Sequence, residues 1–247
     1  MEMLLPGDPI AQAHPRTALA PTANRLLAKL PTADYQRLAP HLEPVALPVG
    51  AIIHEAGEEL RYAYFPIDGA LAGLNALRDG STTHISITGN EGMIGVSLYM
   101  GGQHHTCRAV VELAGHAYRL PANVLREEFE RGGPFQHLLL RYTQAMITQV
   151  AQNAMCNRHH SIEQQLCRLL LNLHNRLRGD QINMTQETIA NMMGVRREGV
   201  TAAARHLQSA GVIAYRRGHI TVLNRPALEK RVCECYAVVK KEVDRLL

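Results

Sequence analysis

Arg196, Arg197, Glu198 and Thr201 stand within six residues of one another in the stretch Met184–Leu207, MTQETIANMMGVRREGVTAAARHL. On the first turns of a helix these groups can read base edges in a DNA major groove. An Arg pairs bidentately with guanine O6 and N7, and a Glu accepts from the cytosine amino group. Arg205 lies one turn further on. Taken alone, such a cluster is also what a solvated helix start looks like, so the reading depends on what positions it.

The surrounding residues predict two short helices joined by a tight turn. Thr185 suits the N-cap of the first, with Gln186 beside it, because its hydroxyl can accept from a free first-turn amide. Ile189, Met192 and Met193 fall at helical spacing. Gly194 can take the positive φ of a sharp helix exit. Val200, Ala204 and Leu207 give the second helix its apolar face, and small residues at Ala190, Ala203 and Ala204 allow close approach. This is a helix-turn-helix layout. Gly199, inside the second helix, costs about 1 kcal/mol relative to Ala. Beyond it, Tyr215-Arg216-Arg217-Gly218-His219 reads as the tip of a hairpin, with Ile220, Val222 and Leu223 returning. Such a basic wing places Arg216, Arg217 and His219 near phosphates, contacts that fix register but carry no sequence information.

Residues from about Ser161 to Leu228 resemble the DNA-binding domain of the catabolite activator and fumarate–nitrate reduction regulator (Crp/Fnr) family. The signals are TQETIANMMGVRREGVTAAARHL, LQSAGVI and the wing. The resemblance implies that Arg197 and Glu198 are the pair starting the recognition helix. A second Arg often follows four residues after that Glu. Here the position is Ala202, so that base contact is missing or moved to Thr201 or Arg205.

The 247 residues suffice for two domains. Charge is uneven: Ser161 to the end holds fourteen Lys/Arg against eight Asp/Glu, +6, whereas residues 1–160 hold twelve against fourteen, −2. A sensor joined to a nucleic-acid-binding module would have this asymmetry. No apolar run approaches a membrane span. The N-terminus lacks the basic-then-apolar order of a signal peptide, so residues 1–23 are expected to form a mobile arm and the protein to stay in the cytoplasm. Cysteines occur at 107, 156, 167, 233 and 235. They form no CxxC pair, and they are expected to be reduced packing residues. Cys233-Glu234-Cys235 falls on an expected helix, where neighbours point apart. The family's oxygen sensors hold iron–sulfur with N-terminal cysteines, and none precedes Cys107 here.

From Val45 to Leu120 short apolar runs alternate with turn residues, and eleven of the nineteen glycines lie between Gly50 and Gly115. That pattern predicts an antiparallel roll, resembling the family's cyclic-nucleotide-binding roll. GMIGVSLYMGGQHHTCRAVV occupies the place of the phosphate cassette. The family pattern there is Gly-Glu-Leu and, about ten residues later, Arg-Ser or Arg-Thr, the Glu holding the ribose and the Arg the cyclic phosphate. Gly95 is instead followed by Val96 and Ser97. The Arg position falls near Thr106, with Cys107 next. Burying a phosphate without a cation is costly. Arg108, two residues beyond Thr106 and so on the same strand face, either points into the pocket and restores anion binding or lies on the outer surface. Usual cAMP binding is therefore not expected. His104-His105-x-Cys107 offers donors, but no His-x-His pair occurs, and no metal ligand or cofactor is singled out.

From Pro134 to about Arg158 a long helix carries Phe135, Leu138, Leu139, Tyr142, Ala145, Met146 and Val150 near 3.5-residue spacing; a stripe this apolar is more often core than partner, and it is the resemblance that implies pairing of this helix with its symmetry mate. A helix from Ile162 to about Leu177 and a final one from Pro226 to Leu247 complete the reading.

The expected architecture is α+β. An N-terminal antiparallel β-roll of the cyclic-nucleotide-binding, jelly-roll type (24–133) is followed by a long dimerisation helix (134–160) and a C-terminal winged helix-turn-helix (161–247). The expected partners are double-stranded DNA, a second copy of the chain and RNA polymerase, with an unidentified small-molecule effector and no membrane. The alternative is a metal-dependent, cupin-like roll enzyme with a basic dimerisation module, although no catalytic constellation stands out.

Overall fold

The computed structural model describes residues 20–76, 78, 82–102, 104–177 and 179–247. Most of the expected arm lies outside them. The chain divides into two compact units. One runs up to Ala72 and resumes over Thr88–Gln136; the other comprises Gly73–Ile87 and His137–Leu247.

Two short helices, α1 (Arg25–Ala28) and α2 (Thr32–Leu38), open the first unit, broken at Pro31 as its missing N–H requires. Asn24 caps α1, its side-chain oxygen accepting from Leu26 and Leu27. The strands follow: β1 (Glu43–Leu47), β2 (Ile52–His54), β3 (Tyr62–Pro66), β4 (Ala70–Ala76), β5 (Thr82–Thr88), β6 (Arg108–Leu113) and β7 (Gly115–Pro121). They make two sheets, β1-β7-β3 and β2-β6-β4-β5. The first is antiparallel, with Glu43 opposite Arg119 and Tyr62 opposite Pro121. Val45, Leu47, Tyr64, Leu71, Ile94, Ala109, Val111 and Ala117 form the core between strands. In β6, Ala109, Val111 and Leu113 are buried while Arg108 is exposed, the period-two alternation of a half-buried strand. Helix α3 (Ala122–Glu130) was not anticipated. It starts after Pro121 and stops at Gly132 and Gly133, both at positive φ, and its short length hides it among charged residues.

In the second unit α4 runs from Pro134 to His159, its first turn belonging to the roll unit. Phe135, Leu138, Leu139, Tyr142 and Ala145 are buried, so most of the apolar stripe is core. Val150 of the stripe remains exposed, as do Leu140, Ile147 and Met155. The polar residues that thin the stripe have partners on β5: Gln149 Nε2 donates to the Ile87 carbonyl (3.4 Å) and Asn153 Nδ2 to that of Ile85 (3.0 Å). Helix α5 (Ile162–His174) begins with a capping box, Ser161 and Gln164 satisfying each other's backbone amides. It ends three residues before the expected Leu177. Strand β8 (Gln181–Asn183), too short to stand out in the sequence, precedes α6 (Gln186–Met193) and α7 (Arg197–Ser209). β9 (Ile213–Arg216) and β10 (His219–Val222) complete a sheet ordered β8-β10-β9.

The expected final helix is two helices, α8 (Arg225–Glu229) and α9 (Glu234–Leu246). Asn224 caps α8, its side chain accepting from the Ala227 amide. Cys233, in extended conformation (φ −71°, ψ 161°), is the N-cap of α9. An apolar period continuing through Leu228, Val232 and Tyr236 masks the break. No helix among the described residues is long and apolar enough to cross a membrane.

Candidate nucleic-acid interface and sensor pocket

Helix α6 starts at Thr185, whose hydroxyl accepts from the Thr188 amide (3.1 Å), and ends at Gly194, left-handed at φ 64°. Ile189, Ala190, Met192 and Met193 are buried. On α7, Val200, Ala203, Ala204 and Leu207 turn inward. The same helical period leaves Arg196, Arg197, Glu198 and Arg205 exposed. Arg197 Nε lies 3.9 Å from Glu187 Oε2, both side chains being 63% exposed; such a pair is worth little and leaves the guanidinium free to move. Thr201 is half-buried, and its hydroxyl lies 2.7 Å from Gln186 Oε1, a bond that ties α7 to the first residue of α6. Thr185, Gln186 and Thr201 therefore also serve as cap and clamp for the motif.

Gly199 has a packing reason. A Cβ there would lie 2.6 Å from Ile162 Cδ1, so its absence lets α7 cross α5 closely. The glycine's cost in helix propensity is incurred at that crossing.

The wing turns on two residues, Arg217 (φ 48°) and Gly218 (φ 85°). Positive φ at both positions matches strand twist in a two-residue hairpin. Arg217 is the one described non-glycine residue at positive φ. The Tyr215 hydroxyl lies 3.5 Å from the Met184 carbonyl, and the Tyr215 amide donates to Gln208 Oε1 (2.9 Å). These bonds seat the wing on the helix pair. Arg216 and Arg217 are exposed. His219 Nδ1 is 2.8 Å from Asn183 Oδ1, so that ring is held against β8.

In the roll, Gly95 (φ 112°) leads into a tight turn over Val96–Leu98. Ser97 Oγ is buried without a hydrogen-bond partner among the described residues. Thr106 is exposed, Cys107 buried and Arg108 exposed, so the face shared by Thr106 and Arg108 is the outer one. Arg108 Nε donates to Glu55 Oε2 (2.7 Å). Of the two orientations open to Arg108, the structure has the outward one. Cys107 Sγ lies 3.0 Å from His105 Nδ1, and the His105 and His54 rings are 5.1 Å apart. Burial, and then the charge of His105, pushes His54 down to about 4. Burial also lowers His105 and raises the Cys107 thiol, leaving a neutral cluster. His104 is exposed and paired with Glu59 through the backbone, apart from this cluster. His54 was not tied to this group in the sequence, because only strand pairing of β2 with β6 brings residues so far apart together.

Residues 164–231 match the Crp-like helix-turn-helix domain, and residues 44–131 match the cyclic nucleotide-binding domain. No curated protein sequence matches the chain. Among solved structures, a Crp/Fnr-family transcriptional regulator from Eubacterium rectale is similar with a TM-score of 0.68 at 20% identity, over 85% of this chain and 98% of that one. FixK2 from Bradyrhizobium japonicum gives 0.67 at 16% identity, over 78% and 98%. The c-di-GMP responsive regulator CLP from Xanthomonas campestris gives 0.61 at 14%, over 78% and 99%. At these identities the structural likeness is one of fold.

Proposed function

The chain belongs to the Crp/Fnr family of transcription regulators and carries its DNA-binding helix-turn-helix, and from that premise we propose that it acts as a homodimer on a two-fold symmetric operator, with a sensor roll that does not take cAMP in the usual way. The observation that carries the DNA-reading assignment is α7 itself. Its inner face is fixed by Val200, Ala204 and Leu207, while Arg196, Arg197, Glu198 and Arg205 are exposed along it. Arg216 and Arg217 at the wing tip suit phosphates.

The dimer is supported by α4, where Leu140, Ile147, Val150 and Met155 are 42–58% exposed on one side of the helix. A second α4 would bury them. Two recognition helices read two half-sites a helical turn apart, so an input that alters their spacing alters operator affinity. Against cAMP stand Val96 and Ser97 in place of a ribose-binding carboxylate, and Arg108 held outward by Glu55. The regulator would work in the cytoplasm with RNA polymerase. The alternative of a cupin-like roll enzyme is less well supported, since the roll matches the cyclic nucleotide-binding domain and the chain continues into a Crp-like helix-turn-helix.

The test is selection of operators from random DNA at one fixed salt concentration, without nucleotide, with cAMP and with c-di-GMP. The expected result is a two-fold symmetric site recovered equally with and without cAMP. A site recovered only with cAMP would overturn the pocket reading. No enriched site under any condition would overturn the base-reading role assigned to α7.

A further inference from the structure

Cys156 lies in the last turns of α4 and His160 just past its end, where the His160 amide still donates to the Cys156 carbonyl (3.0 Å), so the two side chains lie close together. Cys233 and Cys235 are separated by one residue, which on a continuous helix would send them to different faces. They converge because Cys233 is the extended N-cap of α9 and Cys235 lies in its first turn. All four donor atoms lie within 4.8 Å of one another. Cys156 Sγ is 3.5 Å from Cys233 Sγ, and Cys235 Sγ is 3.6 Å from His160 Nδ1. A tetrahedral ion with Zn–S near ~2.3 Å and Zn–N near ~2.0 Å sets its ligand atoms about 3.5–3.8 Å apart. The donors thus need little movement to hold one ion, and they leave no room for a multi-iron cluster.

Two further features fit a metal site better than simple packing. The second ring nitrogen of His160, Nε2, lies 3.3 Å from Glu234 Oε1. A carboxylate on that nitrogen fixes the tautomer that presents Nδ1 as a ligand, the usual outer support of a metal-bound histidine. The three cysteines are buried at 0–2% exposure, and Cys233 and Cys235 meet the other two donors only because the chain is extended at Cys233. A Cys156–Cys233 disulfide would use two of the four donors and leave the orientation of His160 without a reason.

We propose that Cys156, His160, Cys233 and Cys235 form a Cys3His site for a single Zn²⁺ that fastens the start of α9 to the end of α4. His160 directly precedes Ser161, the N-cap of α5. The ion therefore sits at the joint between α4 and the winged helix domain, and its loss would loosen that joint. Metal binding is read without DNA, so it stands or falls separately from the operator assignment.

The test uses the full chain, expressed with zinc and purified under a thiol reductant. Metal analysis should find about one Zn²⁺ per chain. Replacement by Co²⁺ should give thiolate-to-cobalt charge transfer and the intense visible bands of a tetrahedral site. His160→Gln and Cys233→Ser should each lose at least about tenfold in metal retention against a competing chelator, as removal of a direct ligand requires. Cys167→Ala, at a buried cysteine outside the four, should retain the ion. The cobalt spectrum needs no variant, so a Cys233→Ser chain that fails to fold leaves the test intact. Wild-type protein that holds no zinc and gives no charge-transfer band would overturn the site. So would a Cys156–Cys233 disulfide found by peptide mapping in its place, iron bound with cluster absorption, or zinc retained undiminished in both ligand variants.

Discussion

Replacing Gly199 by Ala isolates the contact that sets the recognition helix on its support. In an exposed helix the change would stabilise by about 1 kcal/mol. Here the new Cβ would lie 2.6 Å from Ile162 Cδ1, about an ångström inside the contact optimum of roughly 3.5–4.0 Å. The clashing atom is the end of a half-buried side chain, and a small χ2 rotation that moves it away costs about 0.5–1.5 kcal/mol. The helix gain is thus largely cancelled, and the net expectation is a stability within about 0.5 kcal/mol of wild type. Ile162→Val deletes the clashing atom, and the next Ile162 atoms are at 3.9 Å, ordinary contact. Alone it should cost about 0.5 kcal/mol, at the low end for Ile→Val because Ile162 is only half-buried. In the double variant the helix gain reappears in full, and the pair should be about 0.5 kcal/mol more stable than wild type, a coupling of about 0.5–1.5 kcal/mol. Urea denaturation followed by far-ultraviolet circular dichroism measures the stabilities. Additive single effects, or Gly199→Ala stabilising the chain by the full ~1 kcal/mol of an open helix position, would refute the close-crossing account.

Arg197→Ala should weaken binding to a selected operator by about 1–3 kcal/mol while leaving random DNA nearly unaffected; equal loss on both would remove its base-reading role. Arg217→Asn relieves a left-handed backbone that Asn tolerates. It should leave stability equal or up to about 1 kcal/mol higher, yet flatten the salt dependence of DNA binding by about one ion. An unchanged salt slope would refute the wing's phosphate contact. His54, held near 4 against an ordinary 6.5, favours folding only when neutral. Its contribution is therefore complete above pH 6.5 and lost as pH falls towards 4. Between pH 7 and 4.5 wild type should lose about 1–2 kcal/mol more stability than His54→Gln, and parallel pH profiles would sink the assignment.

The local rules carried much of this protein in its sequence. Thr185 and Gly194 bracket α6 because capping and positive φ are properties of single residues. Strands β1 to β7 were legible because glycine turns and period-two burial repeat over short spans. The RRE start of α7 is exposed because the helical period that buries Val200 and Leu207 leaves it outside. The family resemblance rested on these same stretches. What depended on distant partners was not legible. Most of the stripe on α4 is core, while Val150 and the off-stripe Leu140, Ile147 and Met155 are exposed, because periodicity gives an apolar face without naming its partner. The outward turn of Arg108 was decided by Glu55, fifty-three residues away. Gly199 looked like a defect until Ile162 supplied its contact. All five cysteines are free and buried, as packing residues would be, but which of them meet is not legible, because the end of one helix and the start of another share nothing in sequence. Only the break at Cys233 and the return of α9 to the end of α4 bring their sulfurs together.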